Sequence, residues 1–205
     1  PSFAARVKVA CSNNVFFNIS DGFRIGATTL LSDGFEGAGW TSTTLSGTTA
    51  TWTLAATGTD PTIPSPRTVN PHGGTQLAHF NSSAASLGRL ARLSRDSDAA
   101  IPADVRVASL SFWMYHHNGA YSGNNVGPDT VQVQVSTDSG TSWTNVGALL
   151  ARKDGTTGWV LHTVDLSAYA GQSIRLGFLG TSGFSYDVYL DDVSLVTIPK
   201  TPPGA

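Results

Sequence analysis

The chain has 205 residues, of which 40% are hydrophobic and 13% charged, and a formal net charge of −2. Its 12 basic residues are scattered without a run of lysine or arginine, which argues against nucleic acid or an anionic membrane surface as a partner. No apolar run approaches the roughly 20 residues of a membrane span, and the single cysteine, Cys11, excludes an intramolecular disulfide. This balance favours a secreted β-protein over a cytosolic enzyme.

The two ends of the chain differ from its body. Strands are predicted near residues 6–10 and 14–19, so residues 1–26 are the tail strands of a preceding β-region, added edge strands of this domain, or an ordinary strand pair. Within them, residues 5–21 are similar to the segment that closes the β-rich region after the catalytic domain of secreted bacterial metalloproteases. The Pro-rich residues 199–205 are predicted to form a linker. The sequence opens without an initiator methionine or an apolar signal segment, and we expect it to be a fragment of a longer precursor.

The body, residues 27–198, has the periodicity of β-strands throughout. Val131, Val133 and Val135 alternate with polar residues, which predicts a strand with one buried face, whereas residues 110–114 suggest a central strand with apolar neighbours on both faces. No window sustains a helical period. The sequence therefore predicts an all-β domain, a jelly-roll-like sandwich of two antiparallel sheets. Further strands are expected near residues 27–33, 50–55, 76–81, 88–93, 142–148, 159–166, 174–178 and 186–197.

Two long connections interrupt the strand pattern. Residues 58–66 contain three prolines and are predicted to be an extended loop. Residues 118–128 are rich in Gly and Asn, and loops of this length in compact domains usually have a function. We therefore expect the second loop to carry a recognition surface, with Tyr121, Asn124 and Asn125 as the ligand-binding residues.

Acidic residues bracket the body. Asp33 and Glu36 lie near its start, and Asp191 and Asp192 lie near its end. A fold that places the first and last strands together would gather these carboxylates, which repel one another and are costly to desolvate unless a hard cation neutralises them. The pattern predicts a structural calcium site; in the alternative interpretation, these acids accept N–H groups in turns and bind no metal.

The order of several short motifs resembles that of MAM-like domains, and in particular of their bacterial relatives, the cleaved-adhesin modules of secreted proteases. The resemblance spans residues 30–197 and implies a jelly-roll sandwich with structural calcium and no catalytic residues. The chain lacks the disulfides usual in animal MAM domains, which fits the bacterial branch. The motifs are Phe35-Glu36 followed by Trp40, residues 71–75 (PHGGT), 78–82 (AHFNS), 110–113 (LSFW), 133–138 (VQVSTD), 164–171 (VDLSAYAG) and 190–193 (LDDV).

This resemblance implies that Glu36 and one of the aspartates at 191 and 192 bind the metal. Adjacent residues of a regular strand point to opposite faces, so only one of the two is expected to reach the site, and we favour Asp192 over Asp191. Asp33 and Asn81 are second candidates. Nitrogen suits calcium poorly, so His72 is expected to be a hydrogen-bonding neighbour of the site.

Motifs for catalysis are missing from the sequence. No His-Glu-x-x-His occurs, so a zinc protease site would have to lie outside this chain. Residues 136–143 resemble the Asp-box of sialidases, but one copy predicts a β-hairpin and not a glycosidase. Trp40, Trp113 and Trp143 fall in core or turn positions of the family, so a sugar-stacking surface is not expected from them.

The combined interpretation is a non-catalytic, calcium-stabilised accessory or adhesion module of a secreted bacterial enzyme, with a protease as the expected parent. Its expected partners are an extracellular protein or polysaccharide and the catalytic domain of the same precursor. Two alternatives stay open. One is a carbohydrate-binding module of a glycan-active enzyme, and the other is a structural spacer removed on maturation.

Overall fold

A computed structural model describes residues 26–65, 67–119 and 127–200. The segments predicted as strands near residues 6–10 and 14–19 lie outside the described residues, as does the end of the predicted linker. The predicted scarcity of helix is confirmed, because the described chain consists of strands and one short 3-10 turn, Ser167–Tyr169. The strands are β1 (Thr28–Asp33), β2 (Trp40–Thr44), β3 (Trp52–Ala55), β4 (Gly58–Thr59), β5 (Thr68–Val69), β6 (Leu77–Phe80), β7 (Leu90–Arg95), β8 (Ala99–Ala100), β9 (Val105–His116), β10 (Thr130–Ser136), β11 (Thr144–Ala151), β12 (Gly158–Asp165), β13 (Ser173–Thr181) and β14 (Val188–Pro199).

Twelve of the strands form two antiparallel sheets, which confirms the predicted sandwich. Sheet A has the order β12-β9-β14-β6-β3, and β1 also pairs with β14. Sheet B has the order β11-β10-β13-β7-β2, and β8 also pairs with β13. Neighbouring strands are mostly distant in sequence, as a jelly roll requires. The first and last described strands lie side by side, because Thr28 pairs with Thr197 and Asp33 with Val193.

The core lies between the two sheets and follows the alternation of the sequence. Val131, Val133 and Val135 of sheet B are buried, and so are the residues of β9 that face the core, every second residue from Ala108 to Met114. Phe112 and Phe178 meet across the sandwich with their ring centroids 5.0 Å apart. Strand β9 has partners on both sides, β12 and β14, which agrees with its predicted central position.

A second, smaller apolar cluster covers the outer face of sheet A. It contains Val69, Leu77, Tyr115 and Tyr189, and the connection between β3 and β6 lies over it. The Pro-rich loop within this connection is less extended than predicted, because β4 and β5 pair at its two ends. The hydroxyl of Tyr189 anchors it by accepting a hydrogen bond from the Thr59 N–H at 2.8 Å.

A fully buried arginine, Arg152, joins the ends of several strands. Its guanidinium donates to Asp129 Oδ2 at 2.9 Å and to the carbonyls of His117 at 2.7 Å and Gly119 at 3.2 Å. Asp129 is also buried, and it accepts a further hydrogen bond from the Gly183 N–H. A buried ion pair of this kind is stable only while every member keeps its partners.

We predict that Arg152→Met destabilises the protein by about 3 to 5 kcal/mol, because Asp129 would be left as an unpaired buried charge. Urea denaturation followed by tryptophan fluorescence measures the change. Arg106→Met is the matched control, since Arg106 is exposed on β9, and it should leave the free energy of unfolding nearly unchanged. Equal stability of the two variants would contradict the assigned role of the pair.

Candidate functional site

Strand β14 is irregular where its two aspartates lie. Its register with β9 shifts between Asp191 and Ser194, and Asp192 has a positive φ of 46°. Because the strand bulges there, both carboxylates reach the same loop, contrary to the expectation that only one could. Asp191 Oδ2 accepts hydrogen bonds from the N–H groups of His72 at 2.7 Å and Gly73 at 3.2 Å, and Asp192 Oδ2 lies 2.6 Å from His72 Nδ1.

Glu36 approaches this loop from the turn after β1. Phe35 adopts a positive φ of 60° and buries its ring in the core, while its N–H donates to Asp33 Oδ1 at 2.9 Å. The Glu36 carboxylate then accepts the Thr75 hydroxyl at 2.6 Å and the N–H groups of Thr75 and Gln76 at 2.7 and 3.0 Å. These hydrogen bonds lower the pKa of Glu36, and the bond from the Thr75 hydroxyl has the largest effect.

Glu36, Asp191 and Asp192 thus form one carboxylate cluster around the loop of residues 71–76. Glycines make the close approach possible: a Cβ on Gly73 would lie 2.7 Å from Asp192 Oδ2, and a Cβ on Gly74 would overlap Glu36 Oε1. The sequence pair Gly73-Gly74 is therefore explained by the acids that surround it.

Asp191 is the buried member of the cluster. Its side chain is fully buried, and desolvation raises its pKa, with the charge of Asp192 acting in the same direction. The N–H groups of Asp192, Gly73 and His72 act against this shift by donating to the carboxylate. Asp191 therefore fixes the loop to the strand with backbone donors, while Asp192 and Glu36 lie nearer to solvent.

The structure does not bring the other predicted ligands into the cluster. Asp33 forms an ion pair with Arg95, with 2.5 Å between Asp33 Oδ2 and Arg95 Nη1. Asn81 Oδ1 accepts the Thr51 N–H at 2.8 Å, and its Nδ2 donates to the Thr49 carbonyl at 2.8 Å. In the described ranges, no three His, Cys, Asp or Glu side chains are grouped so that they could hold a metal ion. Calcium binding stays a prediction.

Most of the predicted recognition loop, residues 120–126, lies outside the described residues. Tyr121, Asn124 and Asn125 lie outside the described residues, so the prediction that they bind a ligand remains as it was.

We predict that Gly74→Ala destabilises the protein more than Gly88→Ala does. Both glycines have a positive φ, 61° and 74°, so each substitution costs about 1 to 2 kcal/mol of backbone strain. Only at residue 74 would the new methyl also displace the Glu36 carboxylate, since nothing lies within 4 Å of a Cβ on Gly88. Chemical denaturation measures both.

The excess loss at Gly74 should disappear when the pair of variants is compared again in a Glu36→Ala background. If Gly74→Ala is still more destabilising than Gly88→Ala in that background, the absence of a side chain at residue 74 does not serve to make room for Glu36.

A second candidate site lies on the outer face of sheet B, beside the β10–β11 hairpin. The Asp138 carboxylate closes this hairpin by accepting the Ser142 hydroxyl and N–H, and these bonds lower the pKa of Asp138 to about 2. Gly140 has a positive φ of 94°, and its carbonyl accepts the indole N–H of Trp143 at 3.0 Å. The hairpin predicted from residues 136–143 is confirmed, and it projects Trp143 over the sheet.

Trp143 lies flat on the sheet because Gly177 has no side chain; a Cβ there would lie 2.7 Å from Trp143 Cζ3. Arg92 covers the indole, with its Cζ 4.4 Å from the ring centroid. Together they border a groove, which we name the sheet B groove, with a volume of about 340 Å³. Its lining consists of Thr41, Thr43, Arg92, Ser94, Arg95, Asp96, Ser139, Gly140, Trp143 and Arg175.

Sequence reasoning missed this groove. Arg92 and Ser94 lie on the outer face because β7 alternates, but their clustering depends on neighbours that are distant in sequence. Trp143 was expected in a core or turn position, and it does follow the hairpin turn, yet it also lines the groove. Trp113 was also expected in the core; it lies on the outer face of sheet A, where His72 stacks on it at 3.8 Å.

Comparison with known proteins gives a fold and no family. No protein-family model matches the sequence, and no curated protein does. Among solved structures, the CBM22-1 xylan-binding domain of Paenibacillus barcinonensis Xyn10C has a TM-score of 0.52 at 17% identity, covering 85% of this chain and 97% of that one. The K3 cleaved adhesin domain of Lys-gingipain from Porphyromonas gingivalis W83 has a TM-score of 0.50 at 18% identity, covering 83% and 99%.

An enzyme structure is similar to the same degree. The Stig cyclase Fisc from Fischerella sp. TAU has a TM-score of 0.54 at 15% identity, covering 85% of this chain and 100% of that one. At these identities the similarity establishes the jelly-roll-like sandwich alone, and the function has to be argued from the site. In the described part of the chain, no helix is long and apolar enough to cross a membrane.

Proposed function

We propose that this chain is a non-catalytic polysaccharide-binding module and that the sheet B groove is its ligand site. The groove itself carries this proposal. The hydroxyls of Thr41, Thr43 and Ser94 line it beside an aromatic ring, Trp143. Sugars present hydroxyl groups and apolar ring faces, so hydroxyl and guanidinium side chains next to an indole are suited to bind them.

The fold similarity supports this function without assigning it. One similar structure is named as a xylan-binding domain and another as a cleaved adhesin domain. The similar cyclase means that the same fold also serves an enzyme, so the proposal depends on the groove and not on the fold.

The wider role we propose is that of an accessory or adhesion module of a secreted bacterial enzyme, with a protease as the parent. The specific support is the ordered set of motifs that resembles MAM-like and cleaved-adhesin domains. Such a module would act by holding a catalytic domain of the same precursor close to extracellular protein or polysaccharide, which raises its effective concentration there. A spacer without a ligand is the competing role.

We predict that Trp143→Ala weakens binding to insoluble polysaccharides by about tenfold or more, since buried aromatic contacts usually dominate such interfaces. Pull-down isotherms on insoluble xylan, galactan, pectin and mixed-linkage glucan measure the effect. Because the module is proposed to be non-catalytic, soluble forms of these polysaccharides should keep their chain length during incubation with it. Trp159→Ala is the control, because Trp159 is a partly buried tryptophan on the opposite sheet. Failure of the parent chain to bind any matrix would favour a spacer.

Calcium is the cofactor we propose, with Asp192 and Glu36 as the residues that would hold it. Both flank Gly34, since a Cβ there would lie 3.3 Å from Asp192 Oδ1 and 3.8 Å from Glu36 Cγ. Hard carboxylate oxygens are the ligands that calcium prefers. Asp33 is paired with Arg95, and Asn81 is bonded to the backbone of residues 49–51. Neither would therefore be a direct ligand of the ion. The bound ion would stabilise the fold by neutralising the cluster.

We predict that the melting temperature rises by several degrees in calcium at about 100 times its dissociation constant, since such a ligand contributes roughly 2.7 kcal/mol. Differential scanning fluorimetry in calcium and in chelator measures the rise. Glu36→Gln should reduce it, and Asp104→Asn, an exposed acid outside the cluster, should not. Identical melting temperatures for the parent chain in both buffers would exclude the calcium site.

A further inference from the structure

The sheet B groove contains a partly buried charge, that of Arg92, which a neutral sugar would leave without a counter-charge. Arg92 Nε donates to Gln134 Oε1 at 2.7 Å, and Gln134 in turn donates to Asn145 Oδ1 at 2.8 Å. This chain of amides fixes the guanidinium over Trp143 but supplies no negative charge. Among the described residues, no carboxylate forms an ion pair with Arg92, whose pKa is lowered by burial.

The other arginines of the groove differ from Arg92 in this respect. Arg175 Nε donates to Asp98 Oδ1 at 2.7 Å, and Arg95 is paired with Asp33. The remaining acid of the lining, Asp96, is exposed, and no salt bridge joins it to another side chain in the described part of the molecule. The uncompensated positive charge is therefore localised on the partly buried guanidinium of Arg92.

We propose that the sheet B groove selects acidic polysaccharides and that Arg92 binds the carboxylate of a uronic acid residue. This inference rests on the proposed polysaccharide-binding function and names the class of sugar. The guanidinium is held by Nε and by stacking, which leaves its two terminal nitrogens as a fork, and a planar carboxylate matches such a fork with two parallel hydrogen bonds. The hydroxyls of Thr41, Thr43 and Ser94 would then bind the hydroxyls of the sugar chain.

Isothermal titration of the 205-residue protein tests the selection, with polygalacturonate and alginate as ligands and their fully esterified forms as matched controls. Esterification removes the charge and keeps the backbone of the polymer. At about 0.15 M salt we expect the acids to bind at least about tenfold more tightly than the esters, since a charge-assisted hydrogen bond is worth that much or more.

Three variants locate the effect. Arg92→Gln should abolish the preference for the acid over the ester, and Arg92→Lys should retain only part of it because the ammonium has no fork. Arg106→Gln, which removes an exposed arginine outside the groove, should keep the full preference. Thermal melts of each variant verify folding, and the acid-to-ester comparison on the parent chain does not depend on any variant.

The outcomes separate this inference from the function on which it rests. Equal binding of acid and ester, or binding to neutral xylan or galactan alone, would overturn the uronate assignment and leave the polysaccharide-binding function intact. Preference for a sulfated polymer such as dextran sulfate over both uronates would also overturn it, in favour of a tetrahedral anion. Absence of binding to every polymer would overturn both proposals.

Discussion

The pairing of β1 with β14 holds the two ends of the described chain side by side, and the carboxylate cluster exists because of it. Glu36 follows β1, whereas Asp191 and Asp192 belong to β14, so no local structure could bring them together. The bulge in β14 then turns both aspartates toward the loop of residues 71–76, where backbone N–H groups donate to Asp191 and the His72 ring lies against Asp192. The cost of gathering three acids is offset by these donors.

An ion pair connects the end of β1, three residues before Glu36, with the groove on the other sheet. Asp33, at the end of β1, binds Arg95, which belongs to β7 and lines the sheet B groove. Arg95 also lies over Trp40, with its Cζ 5.5 Å from the ring centroid. Arg95 therefore links the end of β1, Trp40 and the wall of the sheet B groove, so ordering of β1 would also fix the position of this wall.

Sequence patterns predicted the architecture well, because alternation along a strand is a local signal. The buried valines of β10 and the central place of β9 are examples. The acidic residues at the two ends of the domain were also recognisable, and the pairing of β1 with β14 is the arrangement that was expected to gather them. Regular alternation failed at Asp191 and Asp192, where a bulge decides where the side chains point.

Features that depend on neighbours distant in sequence could not be predicted. Arg152 looked like an ordinary charged residue, yet it is buried because Asp129 and the carbonyls of another strand end surround it. Arg92 and Trp143 meet only because Gly177 of a third strand leaves room for the indole. In each case the signal lies in three strands at once, and no window of the sequence contains it.

The closure of sheet A by its last strand also determines how this protein has to fold. Thr197 Oγ1 donates to the Thr28 carbonyl across 169 positions of sequence, and β14 pairs with β9, β6 and β1. Contacts of such high sequence separation make folding slow, because the chain loses loop entropy before these contacts form. During synthesis, β1, β6 and β9 each keep an unpaired edge until β14 has been made. Unpaired strand edges promote aggregation. Pairing with β14 therefore determines when these edges of sheet A are covered and no longer available for self-association.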